Sequence, residues 1–158
     1  MTEITGTSGN DTLDGTSDDD TISGGDGNDR IDGGYGNDLL EGDAGHDVLI
    51  GGDGDDTLVG GDGQDIFFGG TGTDTFDGGE GTDSLYFGAY EDLEDGGQDS
   101  AIVVDVAAGT ASYNGITETF TSIETFWLAN GNDTFVGSNG NDTVYGQIGD
   151  DHLSGGDG

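Results

Sequence analysis

From Gly6 the sequence cuts into nonapeptides, and a nine-residue period leaves a chain few ways to fold. In order the segments read GTSGNDTLD, GTSDDDTIS, GGDGNDRID, GGYGNDLLE, GDAGHDVLI, GGDGDDTLV, GGDGQDIFF, GGTGTDTFD and GGEGTDSLY, a block without gaps from Gly6 to Tyr86. A second block resumes at Leu128 as LANGNDTFV, GSNGNDTVY and GQIGDDHLS, followed by the fragment GGDG. The sixth position is Asp in all twelve complete repeats: Asp11, Asp20, Asp29, Asp38, Asp47, Asp56, Asp65, Asp74, Asp83, Asp133, Asp142 and Asp151. The eighth is always apolar, from Leu13 and Ile22 through Phe67 and Phe76 to Val144 and Leu153. Position one is Gly except at Leu128, and position four is Gly except at Asp18.

Each feature has a mechanical meaning. A six-residue stretch rich in Gly can turn tightly, because Gly adopts positive φ without a Cβ clash. The polar-apolar-polar triplet that follows is a minimal strand with one inward side chain. One repeat is then a turn plus a strand, and two repeats make an 18-residue coil. Coils stacked at roughly 4.8 Å give two short parallel sheets back to back. The interior is thin. One apolar side chain per repeat, worth roughly 1.5–3 kcal/mol when buried, does not offset the ordering of nine residues of backbone. Something else must hold the turns.

Composition points to what that is. Acidic residues number 35 against the single basic Arg30, for a formal charge of −34. Without clustered Lys and Arg the chain has no means of displacing counterions from phosphate, which excludes nucleic acid and argues against anionic membranes. With no Lys there is no P-loop. With no Cys there is no disulfide framework. Val, Ile, Leu and Phe make up about a fifth of the chain, near the boundary of disorder. Such a polyanion either stays expanded or is neutralised by a cation as it folds. No apolar run reaches membrane-spanning length, and Met1–Gly6 lacks the basic and apolar regions of a signal peptide.

Alternate turns fall on the same side of a coil, so residues 18 apart become neighbours. Asp11, Asp29, Asp47, Asp65 and Asp83 form one row, and Asp20, Asp38, Asp56 and Asp74 the opposite row. Stacked like charges repel unless a cation lies between them. Carboxylates beside exposed turn carbonyls suit a hard cation. Ca²⁺ takes six to eight oxygens in irregular geometry, whereas Mg²⁺ keeps its waters and demands an octahedron. Zn²⁺ would want Cys or more His than His46 and His152.

The segments GGDGNDRID and GGDGDDTLV resemble the nonapeptide of the RTX, or haemolysin-type calcium-binding, repeats. The resemblance implies an all-β fold, a parallel β-roll of nine-residue repeats. It also implies a Ca²⁺ ion between each turn and the turn two repeats on, with the sixth-position Asp of both turns as side-chain ligands. Asp29 and Asp47 would share one ion with carbonyls of turns 24–29 and 42–47. The carbonyl-bearing turns are marked by Gly24, Gly27, Gly33, Gly36, Gly42, Gly45, Gly51, Gly54, Gly60, Gly63, Gly69, Gly72, Gly78 and Gly81. The first block offers seven such turn pairs and the second offers one, turns 128–133 and 146–151. About eight ions would bring the charge from −34 to about −18. Three departures stand out: Asp18 in place of a turn Gly, Leu128 and Ala129 in place of the leading glycines, and a final fragment that stops before its Asp. The chain thus reads as a piece of a larger polypeptide.

Four segments follow: an N-terminal tail (1–5), a nine-repeat roll (6–86), an irregular β spacer or cap (87–127) and a second block (128–158). In the spacer an acidic stretch, Tyr90 to Asp99, precedes an expected strand at 101–106, a turn at 108–110, and short strands at 116–120 and 123–128. The pair Ile123-Glu124 is similar to spacers between RTX blocks. Phe120, Phe126 and Trp127 are expected to pack over the end or side of the roll.

No catalytic residue is expected. The chain lacks HExxH, GxSxG and a Cys nucleophile, and His46 and His152 fall at variable repeat positions. An ice-binding face would need regular outward rows, but Ser8, Asp26, Tyr35, Asp53 and Thr71, like Asn10, Asn28, His46 and Gln64, are mixed. The resemblance implies a structural module of a secreted or surface bacterial protein, exported by type I secretion and folding on Ca²⁺ outside the cell. Alternatives are the accessory C-terminal roll of a secreted protease, lipase or toxin, or an adhesin or ice-binding segment. Calcium ions are the expected partner; no protein partner is legible.

Overall fold

A computed structural model describes residues 1–87 and 100–158. The acidic stretch from Tyr90 to Asp99 lies outside the described residues. Every regular element among them is a strand. The first block carries β1 (Glu3–Thr5), β2 (Thr12–Asp14), β3 (Thr21–Asp26), β4 (Arg30–Tyr35), β5 (Leu39–Gly45), β6 (Val48–Asp53), β7 (Thr57–Gly63), β8 (Ile66–Thr71), β9 (Thr75–Gly81) and β10 (Ser84–Tyr86). The insertion contributes β11 (Val103–Asp105), β12 (Thr110–Tyr113), β13 (Ile116–Thr121) and β14 (Thr125–Trp127). The second block adds β15 (Thr134–Val136), β16 (Thr143–Tyr145) and β17 (His152–Ser154).

Successive strands alternate between two sheets, so the first block is a parallel roll. Odd strands from β1 to β9 pair side by side, as do even strands from β2 to β10. The register is 18 residues throughout, with Ile22 opposite Leu40, Leu40 opposite Leu58 and Leu58 opposite Phe76. Strands in the middle of the block run to six or seven residues rather than three. The second and third turn positions also pair with their counterparts one coil on, as Gly34 does with Gly52 and Tyr35 with Asp53.

Eighth-position side chains form the interior. Ile22, Ile31, Leu40, Leu49, Leu58, Phe67, Phe76 and Leu85 are fully or almost fully buried. The column weakens at both ends: Ile4, Leu13 and Val144 are partly buried, and Leu153 is exposed. Ninth-position side chains of the even-numbered sheet add an apolar stripe, in which Phe68, Tyr86, Trp127 and Tyr145 stack ring on ring.

The insertion is built into the roll. Strand β13 pairs in parallel with β9, β12 pairs antiparallel with β13 and β11, and β11 pairs in parallel with β15. On the other sheet a single strand, β14, bridges β10 and β16. Both sheets therefore continue into the second block. Strand β12 was not expected from the sequence, and the strand expected at 101–106 is only three residues long. Phe120 and Phe126 do not pack over the roll's end or side. They lie inside it, in register with Phe76 and Leu85 and almost fully buried, because their strands extend the interior column. Trp127 alone of the three faces outward, on the aromatic stack.

Candidate metal centre

The turns bring the sixth-position carboxylates together through one repeated hydrogen bond. In each pair of coils the backbone N–H of the Asp donates to Oδ1 of the Asp 18 residues on. Seven such bonds, from Asp11–Asp29 to Asp65–Asp83, measure 2.7–2.9 Å. The second block repeats it from Asp133 to Asp151 at 3.0 Å. One carboxylate oxygen of each accepting Asp is thus tied to the backbone of the preceding coil. The other separates the turns into two kinds.

In the first kind, position two is Thr or Ser. Asp11 Oδ2 accepts from the N–H and hydroxyl of Thr7, and Asp20 Oδ2 accepts from the same two groups of Thr16. Ser138 does likewise for Asp142. These carboxylates are capped by their own turns. The Thr16 hydroxyl, ahead of the other hydrogen bonds, holds the Asp20 carboxyl below the usual range.

In the second kind, position two is mostly Gly at positive φ, as at Gly34 (94°) and Gly52 (110°), and no hydroxyl is available. Here Oδ2 of Asp29, Asp38, Asp47, Asp56, Asp65, Asp74 and Asp83 is buried without a hydrogen-bond partner. Asp133 belongs with them, although its turn carries Leu128 and Ala129. Those two apolar residues are buried, and their turn keeps the regular pattern, with Ile102 N–H donating to Asp133 Oδ1 at 2.8 Å.

Burial without a partner disfavours the ionised form. It pushes Asp56 up to about 7 and Asp47, Asp74 and Asp83 up to about 6. Hydrogen bonds from the preceding coil pull these groups back, and neighbouring carboxylates raise them further. Asp38, Asp65 and Asp133 are raised for the same leading reason.

The first glycine of each turn shows what the oxygens converge on. A methyl at Gly51 would lie 2.4 Å from Asp56 Oδ2 and 2.6 Å from the Gly69 carbonyl oxygen. One at Gly42 would lie 2.6 Å from both Asp47 Oδ2 and Gly60 O. A bare carboxylate oxygen and the carbonyl of the next coil thus face the same small space, and only glycine leaves it open. Among the described residues no three acidic, His or Cys side chains converge. A cation in this space would meet a carboxylate oxygen of one coil and a backbone carbonyl of the next, oxygen donors of the kind Ca²⁺ takes. The residues fit the ion.

The family model of the RTX calcium-binding nonapeptide repeat matches four stretches, residues 5–40, 32–67, 59–89 and 129–158, well over half of the chain. The chain belongs to the RTX calcium-binding repeat family. RTX repeats bind calcium as structural modules, and neither this family nor the β-roll is a known catalytic class. A search of curated proteins finds no match. No helix among the described residues is long and apolar enough to cross a membrane.

The remaining motif residues of the RTX turns serve the stack. Fifth-position side chains form ladders: Asn10 Oδ1 accepts from Asn28 N–H, Asn28 Oδ1 from His46 N–H, and His46 Nδ1 from Gln64 N–H. His152 opens the exposed last strand.

The sequence reading missed two carboxylates that the insertion places at turn corners. Glu118 precedes Thr119 as Asp74 precedes the paired Thr75. It is buried and accepts from the Tyr113 hydroxyl. Burial foremost, with the nearby Asp74 charge, pushes it up to about 7. Glu124 stands beyond Asp83 and accepts its backbone N–H at 3.0 Å. The nonapeptide register holds a signal for Glu124. Extended back by nine residues from Leu128, it puts Glu124 at position six and Phe126 at position eight.

Proposed function

We propose that this chain is a calcium-driven folding module of a secreted or surface bacterial protein. Ions are held between turns 18 residues apart, at Asp29/Asp47, Asp38/Asp56, Asp47/Asp65, Asp56/Asp74 and Asp65/Asp83 in the first block and at Asp133/Asp151 in the second. The pairs that begin at the capped Asp11 and Asp20 complete the seven of the first block. The carrying observation is the row of buried Oδ2 atoms without partners, those of Asp29, Asp38, Asp47, Asp56, Asp65 and Asp83 each facing a carbonyl of the next coil. Bound Ca²⁺ supplies the positive charge that lets these carboxylates stay ionised while buried. The chain's own part is to present paired oxygens at coil spacing and to keep the corner clear of side chains.

Binding free energy is then folding free energy. Extracellular calcium modules work at dissociation constants of about 10⁻⁴–10⁻³ M, so the chain stays unfolded where Ca²⁺ is scarce and folds where it is millimolar. This suits export of an unfolded polypeptide by type I secretion. A Ca²⁺ titration followed by far-UV circular dichroism, with Mg²⁺ as control and EGTA reversal, tests the reading. A cooperative gain of β-structure with Ca²⁺ alone is expected. A chain already β-rich in EGTA at neutral pH and indifferent to Ca²⁺ overturns it.

A further inference from the structure

The junction between the two repeat blocks is closed by a turn of three residues instead of six. Strand β13 ends at Thr121 and β14 begins at Thr125. A regular turn such as Gly78–Asp83 fills six positions between Asp77 and Ser84. The short turn nevertheless reproduces the corner. A methyl at Gly78 would meet the Ser122 carbonyl oxygen at 1.9 Å and Asp83 Oδ2 at 2.6 Å, as one at Gly60 would meet Gly78 O at 2.7 Å and Asp65 Oδ2 at 2.3 Å. Ser122 reaches this place in the left-handed region, at φ 55°. Ile123 is buried in the core, and Glu124 comes to the corner.

Glu124 then makes the contacts of a turn Asp. Its Oε2 accepts the Asp83 N–H at 3.0 Å, the bond that Asp Oδ1 accepts elsewhere. Its carbonyl accepts the Thr143 N–H of the next coil, as the Asp38 carbonyl accepts that of Thr57. The extra methylene of Glu makes up the reach that the shorter turn takes away. Across from it, Asp83 is fully buried and its Oδ2 has no hydrogen-bond partner.

We propose that Glu124 is a calcium ligand, shared with Asp83 and the Ser122 carbonyl, in a site that spans the two repeat blocks and makes the docking of the second on the first calcium-dependent. This rests on the calcium reading above and extends it to a residue outside the nonapeptides. The chain carries its own reporter. Its single tryptophan, Trp127, lies three residues on, on β14, stacked between Tyr86 of the first block (5.2 Å, 5°) and Tyr145 of the second (3.8 Å, 15°).

The test is a Ca²⁺ titration of the full chain, following Trp127 fluorescence and far-UV dichroism together, for wild type, Glu124→Gln and Glu124→Asp. The Gln amide oxygen can still accept from Asp83 N–H, so that variant removes charge and spares the hydrogen bond. Glu124→Gln is expected to move the fluorescence midpoint about tenfold or more toward higher Ca²⁺, with the dichroism midpoint, dominated by the first block, within about twofold. Glu124→Asp keeps the carboxylate but gives up one methylene of reach, and is expected to shift the midpoint clearly less than Glu124→Gln. A fluorescence midpoint unchanged in Glu124→Gln overturns the site and leaves the calcium reading of the regular turns standing. An equal shift in Glu124→Asp and Glu124→Gln also overturns it, because packing rather than charge is then responsible. A wild type that ignores Ca²⁺ in both signals overturns the calcium reading, and the site with it.

Discussion

Neutralising two turn carboxylates should lower the cost of folding the roll without calcium. In the metal-free fold Asp56 is pushed from 3.8 up to about 7 and Asp74 from 3.8 up to about 6. One pH unit of displacement is worth about 1.4 kcal/mol, so ionising the pair inside the roll at neutral pH costs about 7 kcal/mol relative to the unfolded chain. That is comparable to the whole stability of a small domain.

The sign follows from the raised values. Below about pH 4 the carboxyls are protonated in both states and exact no penalty. As pH rises the unfolded chain ionises first, and stability is lost progressively up to about pH 7. Calcium-stripped protein should therefore gain β-structure on acidification from pH 8 to pH 4, at concentrations where light scattering shows a monomer. The double variant Asp56→Asn, Asp74→Asn should need less acid, its metal-free midpoint lying at higher pH, while it requires more Ca²⁺ to fold at pH 7.5. If calcium-free wild type and variant lose structure at the same pH, or neither acquires it at pH 4, the buried carboxylates are not what keeps the metal-free chain unfolded.

Two further outcomes follow from the turns. Gly51→Ala places a methyl against Asp56 Oδ2 and Gly69 O, and should raise the Ca²⁺ midpoint of folding by about tenfold or more, read by dichroism; an unchanged midpoint would mean that this corner holds no ion. Thr16→Val deletes the 2.7 Å hydroxyl bond to Asp20 and keeps the side-chain shape. An NMR pH titration should then show the Asp20 carboxyl rising toward 3.8, with a lower thermal midpoint in Ca²⁺ at pH 7 whose deficit shrinks as pH falls below about 4.

The aromatic residues of the insertion show where reading along the chain fails. Phe120 and Phe126 are six residues apart, not nine, because the turn between their strands has lost three residues. Counted forward from the first block, nine-residue spacing passes over them, yet sheet pairing puts both in the interior column. Glu124 is hidden by the same deletion and by the change from Asp to Glu. Strand β12 is missed for another reason. Thr110–Tyr113 carries no repeat pattern, and it becomes a strand by antiparallel pairing on both sides.

The sequence by itself determined the coil, the interior column and the stacking of Asp on Asp, because a period of nine with Gly in the turns permits one register and the same contact recurs every 18 residues. Only the tertiary structure decided which carboxylates are left bare. Asp20 and Asp38 occupy the same repeat position and share a row, and one is capped by the Thr16 hydroxyl while the other keeps a buried oxygen without a partner. The tertiary structure also decided that the two blocks share their sheets, since that depends on strands β11 to β14 pairing with partners far away in the sequence. A repeat encodes the contact between one coil and the next. It does not encode what a non-repeating segment will do when its backbone donors and acceptors meet the open edges of both sheets.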